Sequence, residues 1–156
     1  MATDLSDLLV PELVVVGLPA ATKKALFTQL GTLAAPWVGL DARAIAEGLA
    51  AREKEGSTGF GGGVAIPHAR LAGMQRVALI VARLAQPLGF AAVDDVAVDV
   101  VVAMLSPPHA GGKHLKALAR VARRFRDRTL VAKLRGAGSP DAIYALLTAD
   151  DTRDAA

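Results

Sequence analysis

Residues 51–70 read AREKEGSTGFGGGVAIPHAR. The stretch leaves a charged helical segment at Glu55, crosses a glycine-rich run, enters the short apolar segment Val64-Ala65-Ile66 and meets Pro67 and His68. Helix, tight turn and buried strand in immediate succession point to an α/β fold, in which helices cover the sheet. The glycines themselves have two readings. Successive backbone N–H groups in such a turn can form a concave anion site, and a tight connection that needs positive φ angles calls for the same residues. A nucleotide loop fails on inspection. Gly59 and Gly61 open a G-x-G-x-x-G, but Val64 stands at its last position, and no Lys-Ser or Lys-Thr follows to make a P-loop.

Working outward, Asp41 is a good N-cap for the helix that runs up to the break at Gly56. Before it, Ala25, Leu26, Leu30, Leu33 and Ala34 recur at helical spacing from Ala21 to Pro36, and Leu13–Val16 is a short β-branched run. Downstream, Val77–Leu84 and Val96–Leu105 read as two buried strands, the second stopped by Ser106-Pro107-Pro108. Helical periodicity returns over His114–Phe125, at Leu115, Leu118, Ala119, Ala122 and Phe125. Ser139 caps a last helix with Pro140 at its first position, and the tail ADDTRDAA is expected to fray. There is no internal repeat and no linker. The pattern predicts a single α/β domain over residues 1–156, in two or three layers.

At 156 residues, one domain buries roughly 70% of the surface of its unfolded chain. Only 4% of residues are aromatic against 53% hydrophobic, so the core is built from Ala, Val and Leu. Arg83, Asp94, Asp95 and Asp99 interrupt the most apolar stretch, and no run approaches the ~20 residues of a membrane span. The opening MATDLSDLLVPEL lacks the basic flank and cleavage site of a secretory signal, so a cytoplasmic protein is expected. Without cysteine, thiol chemistry and disulfides are excluded. Arg120, Arg123, Arg124, Arg126 and Arg128 form one dense basic cluster. No aromatic residues interleave there for base stacking, so no nucleic acid is expected. A solvated helix face with cations near its negative end accounts for the cluster.

Chemistry centres on three histidines, His68, His109 and His114. Zinc needs three or four converging ligands, and His109 and His114 are five residues apart, off one helical face. A G-x-S-x-G nucleophile elbow is absent. His68 has the most specific setting: Pro67 fixes the backbone before it, an apolar strand leads into it, and the glycine turn lies beside it. A histidine at the end of a buried strand is held on a rigid element where it can meet a partner protein's reactive atom. Neutral imidazole is nucleophilic near pH 7, and a phosphoramidate keeps a high transfer potential.

The stretch AREKEGSTGFGGGVAIPHAR closely resembles the signature R-E-x-x-x-x-T-G-(I/F)-G-x-G-(I/V)-A-I-P-H-(G/A) of IIA components of the bacterial sugar phosphotransferase system, in the fructose, mannitol and nitrogen-regulatory class. LGFAAVDDVAVDVVVAMLSPP, KHLKALARVARRFRD and SPDAIYALL are similar to that family's later strand and helices, so the resemblance covers about residues 5–148. It implies the family's fold, a single α/β domain with a mixed β-sheet flanked by helices and a core of about 5–148, and a histidine phosphoryl carrier. His68 stands at the phosphorylated position, accepting phosphate from the histidine of HPr or its nitrogen-branch paralogue. His114 matches a second active-site histidine that supports the phosphoryl group. Arg52 matches an arginine suited to neutralising phosphate charge, and Thr58 a hydroxyl near the same pocket. No metal, nucleotide or other cofactor is implied. His109 falls in a loop where the family has no functional histidine and is expected to be exposed. Gly62, Ala69 and Arg70 depart from the commoner residues.

Three functions compete. A regulatory IIA of the nitrogen branch is expected first, because no transmembrane or IIB segment is attached and such proteins bind regulated targets according to phosphorylation. A IIA feeding the IIB domain of a fructose- or mannitol-type permease has the same chemistry. A non-catalytic binding module is the third, and the presence of both His68 and His114 argues against it.

Overall fold

The structure is a computed structural model that describes residues 5–149. Six strands form one sheet: β1 (Val14–Leu18), β2 (Gly59–Gly61), β3 (Val64–Ala65), β4 (His68–Arg70), β5 (Ala78–Leu88) and β6 (Val98–Ser106). Their order is β1-β5-β6-β3-β2, with β4 also paired to β6. The sheet is mixed. β1–β5, β3–β6 and β4–β6 run parallel, while β5–β6 and β2–β3 run antiparallel.

β5 and β6 read as nearly continuous apolar runs because both faces of the sheet are covered. Successive side chains alternate between two cores. Ile80, Ala82, Val101, Ala103 and Leu105 face α1 (Lys23–Val38) and α2 (Ala42–Glu55), against Leu26, Phe27, Leu30, Ile45 and Leu49. Leu79, Val81, Val100, Val102 and Met104 face α3 (Gly112–Phe125), α4 (Arg128–Gly136) and α5 (Pro140–Thr148), against Val121, Phe125, Leu130, Leu134 and Leu147. The architecture is therefore three-layered, which resolves the choice between two and three layers. Each fully buried Leu or Ile contributes about 1.5–3 kcal/mol by burial.

Side-chain caps start the helices where the sequence suggests: Asp41 accepts from the Ala44 amide at 3.2 Å and Ser139 from the Ala142 amide at 3.2 Å. α1 carries on through Pro36 to Val38 and ends on Gly39 at φ 71°. Pro36 lacks the N–H that would bond the Thr32 carbonyl, so one rung of the last turn is missing, and the helix ends two residues later. The fold departs from the sequence reading at α4, which was not anticipated. Asp127 caps it, accepting from the Thr129 and Leu130 amides, and Leu130, Val131 and Leu134 turn into the core.

The arginine cluster is also more than a solvated face. Arg124 is 4% exposed and donates to the Leu146 carbonyl at 2.9 Å, tying α3 to the end of α5. Arg120 pairs with Asp7 at 2.8 Å. Arg123, Arg126 and Arg128 are exposed. No helix among the described residues is long and apolar enough to cross a membrane. The tail expected to fray lies outside the described residues beyond Ala149.

Candidate functional site

β3 and β4 are two pieces of one strand. Val64 pairs with Val100 and His68 with Met104, so the register against β6 is unchanged across Ile66-Pro67. Pro67 has no N–H for the ladder, but its carbonyl accepts from the Met104 amide at 2.8 Å. His68 is thereby fixed to the central strand of the sheet, as the first residue of β4.

Both ring nitrogens of His68 are engaged. Nδ1 is 2.9 Å from the Ile66 carbonyl. A carbonyl only accepts, so the ring proton is on Nδ1 and Nε2 keeps its lone pair. Arg52 Nε–H donates to that lone pair at 3.2 Å. The other arm of the same guanidinium donates to the Gly56 carbonyl at 2.9 Å, at the end of α2. Arg52 reaches His68 because α2 lies close on β4: a Cβ at Gly48 would come within 2.6 Å of the Leu71 side chain.

Glu53 organises the segment behind them. Its side chain, 6% exposed, takes Lys23 Nζ at 2.7 Å, the Thr58 amide at 3.1 Å and the Thr58 hydroxyl. The Thr58 hydroxyl is thus committed to Glu53, and the Thr58 carbonyl accepts from the Ile66 amide at 3.0 Å. Thr58 acts through its hydrogen bonds to Glu53 and Ile66, which brace the segment leading to His68. The glycine turn is spent in a similar way. Gly61, Gly62 and Gly63 all have positive φ, the Gly62 amide donates to Asp94 at 2.8 Å, and Arg135 donates to the Gly62 carbonyl at 2.7 Å. Of its two readings, the tight connection describes the turn.

His114 comes from the first turn of α3, is 4% exposed, and lies with its ring centroid 5.7 Å from that of His68, the planes tilted by 54°. Its Nδ1 meets the hydroxyl of Ser106. Burial pushes both imidazoles below their ordinary value of 6.5. For His68 the Ile66 carbonyl works the other way, while Arg52 and Arg70 add to the lowering. For His114 the Arg70 charge and then His68 itself add to burial. Both rings are therefore neutral at pH 7. His109 is exposed in the loop before α3. Arg52, His68 and His114 come together; Thr58 is held by Glu53 and His109 is exposed.

A family model described as "Phosphoenolpyruvate-dependent sugar phosphotransferase system, EIIA 2" matches residues 7–150. The chain belongs to this EIIA 2 family. A nitrogen regulatory protein of Bradyrhizobium diazoefficiens is 41% identical over 143 residues, covering 92% of this chain and 94% of the relative. A fructose-specific EIIA component of Haloferax volcanii is 32% identical over 146 residues, covering 93% and 95%. The crystal structure of the nitrogen regulatory protein IIA-Ntr from Neisseria meningitidis superposes with a TM-score of 0.87 at 35% identity, covering 92% of this chain and 99% of that one.

Three further residues of this EIIA chain shape the site and were not singled out from sequence. Glu53 had a signal, since it follows Arg52 in the motif. Arg70 had a weaker one: two residues after His68 on a strand, it shares the face of His68. Ser106 had none, because it reads only as the residue that ends a strand.

Proposed function

We propose that this chain is a phosphohistidine carrier that takes phosphate on Nε2 of His68 from HPr or its nitrogen-branch paralogue, and that it serves regulation in the nitrogen branch. The observation that carries the reading is the division of labour on one ring: Nδ1–H is anchored on the Ile66 carbonyl, and the Nε2 lone pair is exposed to the Arg52 guanidinium. In the transfer, that lone pair attacks phosphorus and the new N–P bond forms as the donor histidine's N–P bond breaks. The electron pair returns to the donor's ring nitrogen. Nδ1–H of His68 stays on its carbonyl throughout, and the donor ring, protonated on its other nitrogen, leaves as neutral imidazole while the His68 ring takes up the positive charge. Arg52, already at the nucleophile, pairs with phosphoryl oxygens as they arrive. Arg70 adds positive potential at both imidazoles. Catalysis is then positioning plus electrostatic stabilisation of a loose transition state.

The test is incubation with phosphoenolpyruvate, enzyme I and HPr or its paralogue. One acid-labile phosphate per chain is expected, absent from His68→Ala and acquired more slowly by His114→Ala. Labelling that survives His68→Ala would sink the assignment. Similarity to nitrogen regulatory proteins of Bradyrhizobium and Neisseria supports the regulatory role. Similarity to the fructose-specific component of Haloferax favours a second reading, delivery of phosphate to a permease's IIB domain. Rapid loss of the label to a purified fructose- or mannitol-type IIB domain would establish that second reading over the first.

A further inference from the structure

Ser106 ends β6 at 0% exposure, with its hydroxyl against Nδ1 of His114. Among the described residues this hydroxyl has no other hydrogen-bond partner. Two arrangements are open to the pair. If Nδ1 carried the ring proton, Oγ would accept it, and the hydroxyl hydrogen would be buried without an acceptor, which is heavily penalised. If Nδ1 is bare, the hydroxyl donates to it and both groups are satisfied. The proton of the neutral ring is then on Nε2.

We infer that Ser106 is a positioning residue that sets the tautomer of His114, so that Nε2–H is presented as a hydrogen-bond donor to a phosphoryl group on His68. The two imidazoles are then held in opposite tautomers by backbone and side-chain groups behind them. His68 has its proton on Nδ1 and a lone pair on Nε2 for phosphorus; His114 has a lone pair on Nδ1 for Ser106 and a proton on Nε2 for oxygen. The sheet register makes the arrangement possible, since Ser106 pairs with Arg70 on β4, two residues from His68. The last step, donation to phosphate, rests on the carrier reading; the tautomer does not.

Long-range proton–nitrogen correlation spectra of the 15N-labelled chain at pH 7.5 distinguish bare from protonated ring nitrogens. His114 is expected as the Nε2–H tautomer in the wild type and as a mixture or the Nδ1–H form in Ser106→Ala. Transfer from phosphorylated HPr to Ser106→Ala should slow about tenfold, the scale of one hydrogen bond to a charged group, and Ser106→Thr should restore tautomer and rate together. An Nδ1–H tautomer in the wild type, or one unaltered by Ser106→Ala, overturns the inference. The wild-type spectrum decides alone if a variant does not fold. A chain with the expected tautomer that takes no phosphate would overturn the carrier reading and leave the role of Ser106 standing.

Discussion

Arg52 makes two hydrogen bonds at once, one to Nε2 of His68 and one to the carbonyl that closes α2. Lysine can replace its charge but not that fork. Arg52→Ala should therefore lower the rate of His68 phosphorylation about 10–100-fold, the scale of one or two hydrogen bonds to a charged group. Arg52→Lys should recover only part of it. Single-turnover labelling checks this; equal rates for wild type and alanine variant would show the guanidinium idle in transfer. The pH profile belongs to the same scale. His68 is held below 6.5, first by burial and then by Arg52 and Arg70, so its lone pair is available throughout the neutral range. Initial rates should stay level from pH 8 to about 6.5 and fall only at lower pH. Removing the Arg70 charge by Arg70→Gln should move that fall upward, most visibly at low salt. A midpoint above 6.5 in the wild type would contradict the electrostatics described.

At the scale of elements, the junction of α1 and α2 positions Arg52. Gly31 of α1 abuts the start of α2 so closely that a Cβ would come within 2.3 Å of the Ala42 carbonyl oxygen, a backbone atom. Alanine in place of a mid-helix glycine ordinarily gains about 1 kcal/mol, but overpacking against backbone costs about 1–3 kcal/mol. The clash should win. Gly31→Ala is expected to lower the urea midpoint despite its better helix propensity; a raised midpoint would mean that α2 moves away freely. Most elements were legible in sequence, because their periodicity and caps are local: Asp41 and Ser139 were identifiable as N-caps before any contact was known. α4 was missed although Leu130, Val131 and Leu134 have helical spacing. The surrounding arginines read as one helix running to its end, whereas Asp127 stops α3 and starts a second helix.

Across the whole molecule, the two lowered imidazoles couple stability to pH. Each has a folded value below its unfolded value of 6.5. As pH falls below about 6.5 the unfolded chain binds more protons than the folded one, so stability decreases toward the folded values; above 6.5 the two rings add no slope. Urea midpoints at pH 7.5 and 5.5 should therefore differ, with the lower pH less stable. The difference should shrink in His114→Asn, which keeps an acceptor for Ser106 but does not titrate. A His114→Asn variant with the full wild-type difference would assign the effect to other groups. Arg124 adds to the long-range ties, since a buried guanidinium holding the Leu146 carbonyl links α3 to α5.

The sequence alone determined the α/β class and most strands and helices, which rest on local periodicity and capping residues. It also singled out His68 as the candidate nucleophile by its local setting, and the family resemblance added Arg52 and His114 as its expected companions. Three-layer packing, the commitment of Thr58 to Glu53, and the approach of Arg70 and Ser106 to the imidazoles were decided only by tertiary structure. The physical reason is the register of β6 against β4 and β5. It pairs His68 with Met104 and Arg70 with Ser106 across more than thirty residues of chain, and no local pattern encodes which carbonyl or hydroxyl will stand behind each ring. The protons on His68 and His114 are set by those partners. Chemistry at the site is thus anchored by a motif in sequence, and its proton inventory is written by the sheet.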